Sequence, residues 1–171
     1  ADCKEKDVSH IRANLNRNYK IELIQDRALV ALQGPKASDI LSHYFSNIRD
    51  IPFMSGDWFA YNNEQFFISR CGYTGEDGYE LSIKDGYSET FVKEILKNKE
   101  VRLAGLGARN SLRMEAGLCL YGNDISLDIS PVEAGIDWSI SKNRIKNSDF
   151  IGHESIKNDL NLGVEKRLVG L

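Results

Sequence analysis

Two stretches of this sequence concentrate residues whose types and spacing could do chemistry. The first, Cys71-Gly72-Tyr73-Thr74-Gly75-Glu76-Asp77-Gly78-Tyr79-Glu80, sets three glycines at spacing three ahead of an acid. Glycine admits positive φ and close approach of another backbone, so the run permits a tight connection into a strand that carries Glu80. The same residues also fit a plain glycine-rich connection with solvated acids. In the second stretch, Arg109 to Gly117, Arg109 and Arg113 stand four apart on a helix beside an apolar face of Ala108, Leu112 and Ala116. A paired guanidinium edge there could hold an anion or a carboxylate; an exposed charged edge with Glu115 nearby is the other reading. Spacing alone leaves both choices open.

Other chemistries find no support in the pattern. His10, His43 and His153 lie far apart with no H-x-x-x-H or H-E-x-x-H spacing, so no metal site is expected. There is no G-x-S-x-G, and Cys71 has no base beside it in sequence, which suits a structural cysteine. Gly105-Leu106-Gly107-Ala108-Arg109-Asn110 begins like a dinucleotide fingerprint but has Asn110 where the third glycine belongs, and no P-loop sequence occurs.

Composition sets the frame for these candidates. With 171 residues, 42% of them hydrophobic and 27% charged, the chain reads as one globular domain with a sizeable core. Lys and Arg number 22 against 25 for Asp and Glu, and no block of like charge occurs, which argues against a nucleic-acid or anionic-membrane surface. No apolar run approaches the roughly 18 residues of a membrane span, and the polar opening at Ala1 does not read as a signal peptide. Three widely spaced cysteines, Cys3, Cys71 and Cys119, fit a reducing compartment better than a disulfide framework.

The elements that must position the candidates follow from periodicity. Val8, Ile11 and Leu15 predict a helix over 6–19. Residues 20–25 and 28–32 predict two strands, read as a hairpin across Asp26-Arg27. Ile40 to Phe45 predicts a short helix after Gly34-Pro35. Residues 58–61 and 65–70 flank Asn62-Asn63, a pair that tolerates the left-handed conformation of a tight hairpin. A strand is expected at 79–83, a helix from Tyr87 to Ile95 and another over 108–116, its small residues packed against a sheet; residues 132–141 around Trp138 predict a further strand, and 167–171 the start of one. Hairpins mixed with helices predict an α+β fold with mixed, mainly antiparallel sheets.

Taken with Ala31-Leu32-Gln33-Gly34-Pro35, Leu118-Cys119-Leu120-Tyr121-Gly122-Asn123-Asp124 and Pro131-Val132-Glu133-Ala134-Gly135, the two stretches resemble the aminomethyltransferases of the glycine cleavage system, the T proteins, in order and spacing over almost the whole chain. The resemblance implies ferredoxin-like elements and a folate-binding core over 1–171. It implies transfer of an aminomethyl carbon from the lipoyl arm of the H protein to tetrahydrofolate, with loss of ammonia and formation of 5,10-methylenetetrahydrofolate. By the same carry-over, Glu80 matches the carboxylate that receives the pterin donors, Arg109 a folate-contacting arginine and Tyr73 a tyrosine lining that pocket, and an apolar residue is expected near Phe53.

The resemblance also implies what the sequence does not contain. The family's catalytic aspartate lies upstream of the first residue here, no residue matches it, and no spacing assigns Glu76, Asp77 or Asp124 in its place. A glutamyl-tail arginine belongs to a C-terminal β-barrel beyond Leu171. The 171 residues alone are therefore expected to be catalytically inactive. Two other readings belong to related proteins: a non-catalytic iron–sulfur maintenance module, disfavoured because its Lys-Gly-Cys-x-x-Gly-Gln-Glu signature is absent, and the folate domain of a dimethylglycine or sarcosine dehydrogenase. A bacterial cytoplasm is expected in preference to a mitochondrial matrix.

Overall fold

A computed structural model describes residues 3–16 and 18–170. In chain order it contains α1 (Lys4–Asn14), β1 (Arg27–Gln33), α2 (Ala37–Leu41), β2 (Gly56–Tyr61), β3 (Glu64–Ser69), β4 (Gly78–Lys84), α3 (Asp85–Ile95), α4 (Leu106–Glu115), α5 (Lys142–Asn147) and α6 (His153–Leu162). The four strands form one sheet in the order β1-β4-β3-β2, and every neighbouring pair is antiparallel. This is an α+β fold.

The period-2 alternation of β4 decides which way its residues point. Tyr79, Leu81 and Ile83 are fully buried on one face, while Glu80 and Ser82 stand on the other, partly exposed. Phe66 and Ile68 of β3 continue the buried face, against which α2 and α3 place Ile40, Leu41, Phe91 and Ile95. Phe45 and Phe91 meet the Phe66 ring edge-on, with centroids 5.0 and 4.8 Å away. The opposite face stays open: Trp58 and Phe67 pair there at 5.3 Å with substantial exposure.

Several expectations hold in detail. Asn62 and Asn63 take φ of 49° and 63°, the two-residue turn that joins β2 to β3. The strand after Gly78 and the helix after Lys84 lie where alternation and helical spacing put them.

Other expectations do not. Residues 20–25 form no strand, so there is no hairpin across Asp26-Arg27; β1 takes its partner from β4 instead, with Val30 opposite Leu81 and Leu32 opposite Tyr79 on the core side. Helix α1 stops at Asn14, five residues short of the expected Tyr19, and buries only Val8; Arg17, within the expected span, lies outside the described residues. Residues 132–141 make turns and a short 3-10 helix at Asp137–Ser139 rather than a strand. Ser130 and Glu133 cap one another, Ser130 N–H donating to Glu133 Oε2 at 2.8 Å and Glu133 N–H to Ser130 Oγ at 3.2 Å, a capping box that starts a helical turn. Gly135, at φ 67°, closes that turn. Residues 164–170 form no strand, Leu168 N–H donating to Glu133 O at 2.8 Å; Leu171 lies outside the described residues.

Helix α4 departs most from its reading. Ala108, Leu112 and Ala116 are exposed rather than packed against the sheet, and the residue that α4 buries is Arg113, 3% exposed.

Candidate functional site

The glycine run is shaped by a side chain from another strand. Gln33, the last residue of β1, donates Nε2 to the carbonyls of Cys71 at 3.0 Å and Tyr79 at 3.3 Å, and its Oε1 accepts from Thr74 Oγ1 at 3.3 Å. A Cβ on Gly72 would lie 1.8 Å from Gln33 Oε1, and one on Gly78 2.5 Å from its amide. At two of the glycines the Gln33 amide occupies the space that a Cβ would take, while Gly75 (φ 78°) supplies a left-handed turn against the Ala116 methyl.

Of the acids in this loop, Asp77 is held in an ion pair, while Glu76 is exposed. Arg70 holds Asp77 with two bonds, Nε to Oδ1 at 2.9 Å and Nη2 to Oδ2 at 2.8 Å, and its Nη1 reaches the carbonyls of Arg49 and Ile51. The fork keeps the Asp77 carboxyl below the usual carboxylate range. The loop is thereby tied to the chain before β2.

Glu80 occupies the central strand β4, between Ala31 of β1 and Ser69 of β3 in register, on the face away from the core. Among the described residues no lysine or arginine pairs with it. Cys71 lies beside it; burial pushes the Cys71 thiol up, and the Glu80 charge adds to the effect.

Arg109 and Arg113 do not form the paired edge that their spacing suggests. Arg113 turns inward, donating Nε to Asn110 Oδ1 at 2.9 Å and Nη1 to Leu118 O at 3.2 Å and pairing with Asp124. Asp124 also accepts from Leu120 N–H at 2.8 Å. The Leu120 N–H and then the Arg113 guanidinium hold its carboxyl below the usual range. Arg109 stays exposed, its guanidinium 4.7 Å from the centroid of the Tyr73 ring. The Tyr73 hydroxyl donates to the Cys119 carbonyl.

Tyr73, Glu80 and Arg109, far apart in sequence, line one cavity of about 570 Å³. It borders β1, the edge strand of the sheet, and its lining includes Ala31 and Glu80 together with the α3 residues Phe91 and Ile95. Leu103, Leu106 and Leu112 add apolar surface, so a few polar groups converge in a largely apolar concavity, the usual makeup of a small-molecule site. Phe53 is exposed and is not among the lining residues. Gln33 and the Arg113–Asp124 pair support this wall, roles that the spacing of these residues in the sequence does not give.

The sequence profile of the GCVT N-terminal domain matches residues 1–144. The chain belongs to that family. Among its GCVT relatives, the mitochondrial aminomethyltransferase of Homo sapiens is 42% identical over 100% of this chain, and that of Pisum sativum 38% identical over 99%. The crystal structure of glycine cleavage system aminomethyltransferase T from Bartonella henselae matches 94% of the chain with a TM-score of 0.83 and 34% identity. The chain spans 44% of the length of each of these three proteins. The mitochondrial names of these relatives, which extend to a probable aminomethyltransferase of Schizosaccharomyces pombe, overturn the expectation of a bacterial cytoplasm.

Proposed function

We propose that this chain forms the folate-binding core of an aminomethyltransferase of the glycine cleavage system, acting in the mitochondrion. The observation that carries the reading is that Tyr73, Glu80 and Arg109, the residues on which the family resemblance bears, line a single cavity with apolar walls.

The pterin of tetrahydrofolate presents an amide N–H beside a 2-amino group, two parallel donors. A carboxylate only accepts, so Glu80 suits them, and among the described residues no lysine or arginine pairs with it. Tyr73 and Arg109, stacked on one another, form a flat wall that can flank a planar ring, and the Arg109 guanidinium adds a cation for an anionic folate. When bound, tetrahydrofolate accepts the one-carbon unit; Glu80, Tyr73 and Arg109 hold and orient it. The donor in this proposal is the aminomethyl-lipoyl arm of the H protein.

The test is turnover: the gene product that carries this sequence, at its natural length, is mixed with aminomethyl-loaded H protein and tetrahydrofolate, and 5,10-methylenetetrahydrofolate and ammonia are followed together. Their formation in equal amounts is expected. No transfer with a folded protein contradicts the assignment.

A further inference from the structure

We infer that Arg113 and Asp124 are positioning residues for the ligand-facing wall, acting through the Cys119 carbonyl on Tyr73 and Arg109. The inference deepens the folate reading and rests on it.

Helix α4 ends in a tight reversal. Gly117, at φ 71°, donates its N–H to Met114 O at 2.9 Å, and Leu118 N–H returns to Arg113 O at 2.8 Å, the paired bonds of a Schellman cap. The chain then has to be held against the helix it has just left. Arg113 does this from within, its guanidinium joining Asn110 on its own helix to Leu118 O and Asp124 on the following loop. Asp124 completes the brace by accepting from Leu120 N–H at 2.8 Å, while its own N–H donates to Leu120 O at 2.9 Å.

Leu118 and Leu120 are therefore both fastened to the brace, and Cys119 lies between them. Its carbonyl is the acceptor for the Tyr73 hydroxyl. The ring so anchored carries the Arg109 guanidinium at 4.7 Å. Arg109 and Arg113, one turn apart on α4, thus have separate duties: one faces the cavity, and the other fixes the carbonyl that holds the first one's aromatic partner. A buried arginine is costly unless its hydrogen bonds are met, and here they are met by Asn110 of its own helix and by the loop that carries the carbonyl.

A merely structural brace would affect ligand binding whether or not Tyr73 bears its hydroxyl, whereas a positioning brace acts through that hydroxyl. The experiment is a double-mutant cycle on the natural-length gene product, titrating 5-formyltetrahydrofolate calorimetrically into the parent, Tyr73→Phe, Asp124→Asn and the double variant, with Glu80→Gln alongside. Tyr73→Phe and Asp124→Asn are each expected to weaken binding about fivefold. The double variant is expected to bind no more weakly than Tyr73→Phe alone. Arg113→Lys, which keeps the charge but loses the guanidinium fork, gives the same cycle should Asp124→Asn not fold. Multiplying effects in the double variant, or parent-like binding by a folded brace variant, overturn the inference while Glu80→Gln still weakens binding. Parent-like binding by all variants, Glu80→Gln included, overturns the folate reading and the inference with it.

Discussion

At Gly72, the atom that a side chain would strike belongs to a glutamine already holding three hydrogen bonds. An alanine there must displace Gln33 and leave its bonds unmade. Gly72→Ala is therefore expected to destabilise the fold by about 1–3 kcal/mol in urea denaturation. In a Gln33→Ala background the obstacle is gone, so the added cost of Gly72→Ala should fall to near zero; an undiminished cost would show that the glycine serves another purpose. The spacing of the glycines was legible from the sequence, but its cause was not, because the side chain responsible sits on a strand distant in the chain. The two arginines of α4 carry the same lesson. Helical spacing put them on one edge, yet contacts with the following loop at Leu118 and Asp124 hold Arg113 inside and leave Arg109 outside.

The periodicity of an element was legible, and the partner with which a strand pairs was not. The β2–β3 hairpin is read from Asn62-Asn63 alone, because few residues tolerate two successive left-handed positions. Asn63→Val should cost about 1–2 kcal/mol for forcing a β-branched residue into that region, and Asn63→Gly should be near neutral, both measured by urea denaturation. Strand β1 looked like half of a local hairpin because apolar alternation does not name a partner, and its true partner β4 arrives only after the whole hairpin and the glycine loop. Around Val132 the apolar pattern suggested a strand, but the Ser130-Pro131-Val132-Glu133 box, which was readable, directs the backbone into a helical turn. The Arg70–Asp77 fork joins two such connections and gives an acid response. Asp77 is held below the usual carboxylate range in the fold, so the stability that it contributes is present above the ordinary aspartate pKa and is lost as the pH falls through its lowered folded value. Asp77→Asn should remove that part of the acid dependence in melting curves taken between neutral pH and about pH 2; a melting profile with unchanged slope would contradict the role of the fork.

Across the whole molecule, one sheet face and two helices make the core, and the cavity runs along the free edge of that sheet at β1. Phe66 stands at the centre of the first, fully buried between Phe45 and Phe91. Phe66→Ala should cost about 3–5 kcal/mol on unfolding, a size that only a closely packed aromatic centre gives; a cost below about 1 kcal/mol would mean that this centre is loosely packed. Glu80 is one residue along the strand from the buried Tyr79, so the alternation that builds the core also points the carboxylate into the cavity at the edge of β1. The α+β class was accessible from pattern. The cavity was not, since it depends on how residues 101–112 lie along β1. In the proposed function Glu80 receives the pterin donors. The most direct measurement is calorimetric titration of 5-formyltetrahydrofolate into the natural-length gene product and its Glu80→Gln variant. A dissociation constant raised about tenfold or more in the variant is predicted, since one acceptor becomes a donor facing donors and each 1.4 kcal/mol is a factor of ten. Equal dissociation constants for the two proteins would contradict it.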